Sequence, residues 1–567
     1  RVILWGASSF MFTTGARTAL GGTYLNMRQS DVIQARFRQV AISVLVAMGV
    51  VFIYLVYNAT QFDDITDINA MDMAQVARNF AAGEGFTTKI IRPLSLAVSK
   101  SLERHPELTL SPLHPITAAG LFRLTGAPTA RTMAWACGIA FLLTIGVTYL
   151  LALKIFNPQV ALLALVVVAT DAVVLQYAIS GLESSLLTLL VTVLLLALFM
   201  HWKADRHRLI WAGVAGVLVG LIYLTQYAWV IVLLPAFGVV YLNAQPGRRA
   251  VNVGVFLVLA LAVMTPWFIR NYNITGNPLF TLRWNEGVMG TYSYPGNTLY
   301  RMWEEQPPSP ARFCLQAPRE MYQKVRSSLL SLRPVVANMG GPFVAAFFWV
   351  AILIPLGAAG YERVRKSVYV LLLLLIGILS LLGASPRLLA PLTPFVSVTA
   401  IALFLQLLNR RLARLDTIQQ KRWRSIGIGM LLAVHIVPLM LVMMPGFPTY
   451  YSQGPALERA VHELSSFVDE GRPVISDAPW VIAWCGSRPA VWLPLRTTDI
   501  RRIEAEVGRI EYMVLTPALL RMAEEEKAEA WATLWQRSLG EDVRYEDWAV
   551  DQRLANAGWI LFRRVPN

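Results

Sequence analysis

The chain has 567 residues, of which 56% are hydrophobic and 15% are charged, and its formal net charge is +15. A soluble protein carries about 25% charged residues, so this composition excludes an ordinary soluble fold. The apolar residues occur in long runs, and a membrane-crossing helix needs about 20 such residues in a row. The sequence therefore predicts a multi-pass α-helical membrane protein.

Eleven segments are predicted to cross the membrane, at 38–57, 132–153, 159–178, 184–201, 209–225, 228–243, 251–269, 343–360, 367–384, 388–408 and 425–444. The short connectors that are rich in Lys and Arg contain Lys154, 203–208, 247–249, 362–366 and 409–424. Such connectors mark the cytoplasmic side of a membrane, and Arg36 and Arg38 before the first span agree with this orientation. The positive charge is thus explained by topology, and no nucleic-acid partner is expected.

The order of these segments predicts three regions. Residues 1–37 form an N-terminal cytoplasmic or interfacial segment, and residues 38–445 form the membrane domain. Two long outer loops, 58–131 and 270–342, belong to that domain. Residues 446–567 have the composition of a soluble domain and alternate short strands with charged helices, which favours a small extracytoplasmic α/β domain.

The first outer loop contains "DINAMDMAQVARNFAAGEG", which starts at Asp67 and has the helix formers and terminal glycines of an amphipathic helix. Asn69, Asp72, Val76 and Asn79 recur at three- and four-residue spacing and are predicted to share one face. Asp72 is either a first-turn carboxylate that the helix dipole stabilises or a catalytic group, and both interpretations stay open.

Four motifs occur in order along the chain. They are "AMDMAQVARNFAAGEGFTT" at 70–88, "SPLHPITAAG" at 111–120, "TPWFIRNYNITGNPLF" at 265–280 and "SPRLLAPLTPF" at 385–395. Together they resemble the C-type integral-membrane glycosyltransferases, a superfamily that includes dolichyl-phosphate-mannose–protein mannosyltransferases and lipid A aminoarabinose transferases.

The resemblance implies an enzyme of the bacterial inner membrane that transfers a sugar from a polyprenyl-phosphate donor to a protein, glycan or lipid acceptor on the outer side. It also implies that an acid of the first outer loop takes the proton of the acceptor hydroxyl, because an alcohol is a poor nucleophile without a base. Cations would hold the charge of the phosphate leaving group. No cofactor is certain, and a divalent metal is left open.

One position departs from the family pattern. The family acid stands nine residues before the arginine of "ARN", and here that arginine is Arg78 and the position holds Asn69. An amide cannot act as a base, so Asp72 is the first candidate for this role and Asp67 the second. Glu183, in a loop where the family often has an acid, is either a functional carboxylate or, with Ser180, a capping box.

Arg387 is the first candidate for binding the donor phosphate, because a guanidinium can donate two hydrogen bonds to it; the alternative is an interfacial anchor. Further candidates for the phosphate and the surrounding site are Arg270, Lys89, Arg92, Arg78, His114 and Gln226. Gln226 stands where many relatives carry arginine.

Two other functions remain open. Asn69 and Gln226 favour a catalytically inactive relative that serves as a structural or partner-binding subunit of a membrane complex. A transporter is the third hypothesis, although transporters place polar groups at mid-membrane. The segment "ARFCLQAPREMYQKVRSSLLSLRP" at 311–334 interleaves apolar and basic residues at helical spacing, which indicates a helix on the membrane surface.

Overall fold

A computed structural model describes residue 41 and residues 44–565, with gaps at 205, 304–306, 358, 384, 445–453 and 555. The predicted N-terminal segment 1–37, with Arg36, lies outside the described residues. The chain divides into two compact units, one ending at Leu55 and the other beginning at Val56. The described part of the first unit is helical and belongs to a helix that continues across this boundary, and the other features discussed below belong to the second unit.

The described residues form α-helices with the following bounds: α1 Val44–Gln61, α2 Ile68–Ala81, α3 Leu113–Thr125, α4 Ala130–Ile155, α5 Pro158–Ala169, α6 Ala172–Ile179, α7 Ser184–Lys203, α8 Arg208–Thr225, α9 Leu233–Asn243, α10 Arg249–Thr275, α11 Pro310–Gln316, α12 Pro318–Ala337, α13 Pro342–Val350, α14 Ala359–Leu382, α15 Thr393–Leu412, α16 Thr417–Val442, α17 Gly454–Ser465, α18 Pro479–Cys485, α19 Thr498–Val507, α20 Ala518–Glu526 and α21 Glu529–Ser538. Short 3-10 helices at Tyr227–Val232, Leu282–Gly287, Thr298–Arg301 and Pro386–Leu392 lie between them.

Among the described helices, eight are long and apolar enough to cross a membrane, and the pair α5–α6, bent by 58°, would make a ninth. The eight are α1, α4, α7, α8, α10, α14, α15 and α16. This confirms the multi-pass helical fold class, with fewer spans than the eleven predicted. The segment 228–243 is a 3-10 turn followed by the short α9, and 343–360 contains the last eight residues of α13 and the first two of α14. Helix α13 ends at Val350, and turn residues separate it from Pro355, which lacks the N–H that would continue a helix at that point.

The membrane helices approach closely where the sequence has glycine. A Cβ added to Gly216 of α8 would lie 2.2 Å from the carbonyl oxygen of Phe256 on α10, and one added to Gly220 would lie 2.7 Å from the Cβ of Val263. Small residues let two helix backbones pack against each other in a membrane. The pair α8–α10 thereby supports the end of α8, where the candidate site begins.

The C-terminal region forms a seven-stranded sheet in the order β2-β5-β4-β6-β9-β8-β7. Its strands are β2 Ile90–Ile91, β4 Val474–Ser476, β5 Ala490–Trp492, β6 Tyr512–Leu515, β7 Arg544–Tyr545, β8 Trp548–Leu554 and β9 Trp559–Arg564, while β1 Thr87–Thr88 pairs separately with β3 His105–Pro106. Strand β2 comes from the first outer loop and pairs parallel with β5, with Ile90 opposite Ala490. The α/β sheet is therefore completed by a segment nearly 400 residues earlier in the chain.

Three segments meet at one end of the bundle. The amide of Leu282 donates to the carbonyl of Leu108 at 3.0 Å, and the amide of Leu495 donates to the carbonyl of Arg301 at 3.0 Å. These bonds join the first long loop, the second long loop and the C-terminal region, and we call this end of the molecule the loop face. Its extracytoplasmic location stays a prediction.

Candidate functional site

Helix α2 begins at the loop face with Asp67 as its N-cap. The Oδ1 atom of Asp67 accepts hydrogen bonds from the backbone amides of Asn69 at 2.8 Å and Ala70 at 3.2 Å, and from the side-chain amide of Asn69 at 3.3 Å. These bonds satisfy helix-end amides that would otherwise lack partners. They also fix the orientation of the carboxylate, whose other oxygen, Oδ2, has no protein hydrogen bond within the described residues.

Asp67 and Asn69 line a cavity of about 740 Å³. The other walls come from the end of α8 with the turn after it, the loop that follows α10, the end of α14 and the 3-10 turn that precedes α15. Its charged lining residues are Asp67, Arg283, Glu286 and Arg387, and its apolar wall includes Ile378, Leu379, Leu382 and Leu388. We call it the loop-face cavity; it combines a hydrophobic side with ionisable groups of both signs.

A polar network stands behind one wall of this cavity. Arg387 places Nη2 3.5 Å from Oε1 of Glu183, and the same oxygen accepts a hydrogen bond from Nε2 of Gln226 at 3.0 Å. Arg283 donates from Nη1 to Oε1 of Gln226 at 3.4 Å. Burial opposes the charge on Glu183, but Arg387 and Arg283 outweigh it and hold the pKa of Glu183 below its ordinary value. Glu183 therefore stays ionised beneath the cavity.

The capping-box alternative for Glu183 is not what the structure shows. Glu183 is the N-cap residue of α7, but its side chain caps no amide. The Oγ atom of Ser180 accepts instead from the amide of Leu182 at 3.1 Å. The carboxylate is consequently available for Arg387 and Gln226.

Arg387 keeps hydrogen-bonding capacity. Its side chain is 14% exposed, and its Nε atom is buried without a partner among the described residues. The side chain faces the cavity from the turn at Pro386–Leu392, where the missing N–H groups of Pro386 and Pro391 prevent a regular helix. The guanidinium of Arg387 is therefore held in place and still has N–H groups that could donate hydrogen bonds to an anion in the cavity.

Sequence reasoning missed two cavity residues, Arg283 and Glu286. Arg283 donates from Nε to the carbonyl of Thr109 at 3.1 Å, and Glu286 accepts from the hydroxyl of Tyr300 at 3.2 Å. Both lie in the 3-10 turn at Leu282–Gly287, immediately after the "GNPLF" motif. Their position next to this motif was the hint that the sequence offered. An irregular loop has no periodicity, however, so the sequence does not indicate which of its side chains face the cavity.

Asp72 does not line the loop-face cavity. It is 4% exposed, and its Oδ2 atom lies 2.5 Å from Nη2 of Arg92. Arg92 also lies 3.7 Å from Oε2 of Glu107, and its guanidinium sits over the ring of Tyr300. Burial raises the pKa of Asp72 to about 6, against the attraction of Arg92 and with a further contribution from Glu107. Asp72, the first candidate for the base, is thus enclosed in a buried ion pair inside the loop.

Arg270 and His114 also lie away from the cavity lining. Arg270 donates from Nη2 to the carbonyls of Phe86 at 3.2 Å and Glu107 at 2.8 Å. Nε2 of His114 lies 3.0 Å from the carbonyl of Gly181, and burial lowers the pKa of this histidine, so the neutral ring donates that bond. Both side chains hold the first outer loop against the bundle.

Arg78 and Lys89 contact the C-terminal region instead. Arg78 donates from its two terminal nitrogens to the carbonyls of Trp484 and Ala483, each at 2.7 Å, at the end of α18. Lys89 donates from Nζ to the carbonyl of Ser487 at 3.1 Å. The predicted site residues that the structure brings to the cavity are therefore Asp67, Asn69, Gln226 and Arg387, with Glu183 directly behind them.

The sequence left open whether the protein binds a divalent metal. Across the described residues, no group of three or more His, Cys, Asp or Glu side chains is arranged so that it could hold a metal ion. The carboxylates of the cavity wall, Asp67 and Glu286, form only a pair.

Comparison with known proteins agrees with this architecture. Residues 104–270 match the family model described as dolichyl-phosphate-mannose-protein mannosyltransferase. The structure of ArnT from Cupriavidus metallidurans bound to undecaprenyl phosphate is similar with a TM-score of 0.54 and 13% identity, covering 93% of this chain and 98% of that one. The structure of the oligosaccharyltransferase AglB from Archaeoglobus fulgidus, in complex with an inhibitory peptide and a dolichol-phosphate, is similar with a TM-score of 0.50 and 14% identity, covering 87% of this chain and 72% of that one.

No curated protein matches the sequence. At these identities the structural similarities show the fold alone. The resemblance to C-type integral-membrane glycosyltransferases is nevertheless confirmed, because the family match and the fold agree with the motifs.

Proposed function

We propose that the protein transfers a sugar from a polyprenyl-phosphate donor to a hydroxyl acceptor on the extracytoplasmic side of the membrane, and that the reaction takes place in the loop-face cavity. The observation that supports this most is the composition of the cavity wall. An apolar side, two arginines and a carboxylate with a free oxygen are what a lipid chain, its phosphate and an acceptor hydroxyl respectively require.

The donor would place its lipid against the apolar wall and its phosphate at Arg387, with Arg283 as the second cation. Arg387 has one ionic contact, at 3.5 Å, and a buried Nε without a partner in the described chain. A guanidinium in this state gains two charge-assisted bonds from a phosphate at little cost, because its orientation is already fixed. The lipid phosphates bound by ArnT and AglB are consistent with a donor of this class.

The acceptor hydroxyl would be activated by Asp67. We place the base there instead of at Asp72, because Asp67 lines the cavity and Asp72 is enclosed with Arg92. The free Oδ2 of Asp67 would take the hydroxyl proton while the acceptor oxygen forms its bond to the anomeric carbon. The bond between that carbon and the phosphate oxygen breaks in the same reaction, and its electrons leave with the polyprenyl phosphate, whose charge the arginines stabilise.

A second candidate is an inactive relative that binds a lipid phosphate or a membrane partner without transferring sugar. The observation in its favour is Asn69, which occupies the family's acid position, lines the cavity and uses its side-chain amide on Asp67. In this candidate the cavity and Arg387 keep their binding role, and only the proton transfer is lost.

Binding of undecaprenyl phosphate to the purified protein tests the site. The variant Arg387→Lys keeps the charge but loses the two parallel N–H groups of the guanidinium, so the affinity for undecaprenyl phosphate should fall. Arg387→Ala should lower this affinity further, by about ten-fold or more. Arg521→Ala is a matched control, because Arg521 is exposed on α20 and does not line the cavity. Equal affinity in all four proteins would reduce Arg387 to an interfacial anchor and remove the main support of the proposal.

A further inference from the structure

Helix α12 has one buried face and a long exposed one. Its buried residues are Met321, Lys324, Ser328 and Leu332, which recur at three- and four-residue spacing and pack toward the bundle. Lys324 donates from Nζ to the carbonyl of Glu286, so this face is tied to the loop that lines the cavity. Most of the remaining positions on the helix are exposed, apart from residues such as Glu320, which accepts hydrogen bonds from Ser293, and Val335 and Val336, which pack against the bundle.

Three arginines lie opposite the buried face. Arg319, Arg326 and Arg333 are spaced by seven residues, and a seven-residue step drifts by only about 20° around a helix. They therefore form one stripe, which we call the arginine stripe. All three are exposed, and none makes a hydrogen bond or ion pair with the described part of the chain. Three positive charges thus point outward in a row, without an acidic partner among the residues that the structure describes.

Large apolar side chains lie beside the stripe. Tyr322 is 68% exposed, Leu329 is 43% exposed and Leu330 is 57% exposed. At 100° per residue, Tyr322 and Leu329 fall on one flank of the stripe, and Leu330 lies about 20° beyond Arg319 on the other side. Beyond Leu330 this second flank carries Gln323 and Ser327, so the helix is mainly apolar on the Tyr322 side of the arginines and becomes polar on the other side.

We propose that α12 lies along the membrane surface and that the arginine stripe binds the phosphate groups of anionic phospholipids. An amphipathic helix with basic and aromatic residues buries its apolar flank at the boundary between headgroups and acyl chains. That orientation brings the stripe level with the headgroups, where guanidinium groups bind phosphate with two parallel hydrogen bonds. The unpaired charge favours an anionic lipid over a zwitterionic one.

This inference does not depend on the proposed function. It rests on the spacing, exposure and unpaired state of the stripe, and it would hold for an active transferase and for an inactive relative alike. A membrane-protein partner would use the apolar flank as well, but it would not distinguish between lipid headgroups.

Crosslinking with photoreactive lipids tests the proposal locally. The purified protein is reconstituted in bilayers that contain photoreactive phosphatidylglycerol or phosphatidylcholine, and the crosslinks on peptides from α12 are counted by mass spectrometry. The wild type should give more crosslinks with phosphatidylglycerol. One basic residue near an anionic surface changes such a partition by about five-fold. The ratio of the two lipids on α12 should therefore fall at least about ten-fold in the triple variant Arg319→Gln, Arg326→Gln, Arg333→Gln.

A second variant separates the position of the charges from their number. It adds to the triple variant the changes Gln323→Arg, Ser327→Arg and Ser331→Arg, which restore the net charge on the flank that faces away from the apolar residues. The proposal expects this variant to lose the preference as well. An unchanged lipid ratio in the triple variant, or a ratio that the second variant restores, would overturn it. Thermal unfolding verifies that both variants fold, as the exposure of all six positions leads us to expect.

Discussion

Replacement of Asp67 by asparagine should remove the basic oxygen Oδ2 while it keeps the oxygen Oδ1 that caps helix α2, so it tests catalysis separately from folding. In the wild type, Oδ1 caps helix α2 through the amides of Asn69 and Ala70, while Oδ2 has no hydrogen bond to the described residues. Asparagine keeps the capping oxygen and puts an NH₂ group where the free oxygen was. Because asparagine and aspartate are about equally good N-caps, the free energy of unfolding should change by only a few tenths of a kcal/mol.

The rate should change far more than the stability. Loss of a general base typically costs a factor of about 10² to 10⁴, which corresponds to about 2.7 to 5.4 kcal/mol in the activation free energy. Affinity for the lipid-phosphate donor should remain, since Arg387 and the apolar wall are untouched. Asp67→Ala supplies a matched comparison: it should lose activity to the same extent and also about 1 kcal/mol of stability, because alanine cannot cap the helix.

The assay measures turnover, donor binding and thermal unfolding on the same preparations. Turnover is followed as the transfer of labelled sugar from a polyprenyl-phosphate donor. The reasoning predicts that Asp67→Asn reduces kcat while the donor dissociation constant and the melting temperature stay close to the wild type. Full turnover in Asp67→Asn would refute the assignment of the base and would return Asp72 to first place.

Three further predictions concern other carboxyl and amide positions. Asp72→Asn should lower the stability by about 1.5–3 kcal/mol, because it removes the charge-assisted contact to Arg92 and leaves Glu107, 3.7 Å away, as the carboxylate that faces this guanidinium; an unchanged melting temperature would contradict the ion pair. Asn69→Asp restores the family acid at the cavity wall and should be tolerated or raise turnover, whereas complete inactivation would show that the amide is required. Asp477→Asn should raise the melting temperature at pH 8 but not at pH 4. Burial raises the pKa of Asp477 to about 7 in the folded state, whereas in the unfolded state the carboxyl group loses its proton near pH 4. The stability of the wild type therefore decreases as the pH rises from about 4 to about 7. If the melting temperatures of the wild type and of Asp477→Asn differ by the same amount at pH 4 and at pH 8, this explanation is excluded.

The sequence predicted the local features of the molecule well. The four motifs gave the correct superfamily resemblance, and the first-loop helix is present as α2. The short strands expected within residues 446–567 are present as β4, β5, β6 and β9, among others. These features depend on short-range periodicity, capping and turn residues, which a single sequence displays directly.

The environment of Asp72 depends on distant residues and could not be predicted in the same way. Spacing correctly put Asp72 on a helix, but Arg92 and Glu107, which enclose it, come from 20 and 35 residues further along an irregular loop. Whether a helix face meets solvent or protein is decided by what folds over it. The same limit applies to strand β2, whose parallel partner β5 lies in the C-terminal region.

Some residues of the loop-face cavity could be identified from short motifs, and others could not. Arg387 was identified because its motif gave it a place at the end of a span. Arg283 and Glu286 were missed because their 3-10 turn has no repeating pattern. Two spans were predicted where the helices are too short, since hydropathy counts apolar residues and does not register where a helix ends, as α13 does at Val350.

Turnover of labelled polyprenyl-phosphate sugars by the purified wild-type protein in proteoliposomes tests the central claim most directly. A panel of donors that share the lipid phosphate and differ in the sugar is offered with protein, glycan and lipid acceptors. We expect transfer of at least one sugar by the wild type, and loss of that transfer in Asp67→Asn and in Arg387→Ala. Binding of undecaprenyl phosphate without transfer of any sugar, together with transfer that appears only in Asn69→Asp, would contradict this claim and identify the protein as an inactive relative.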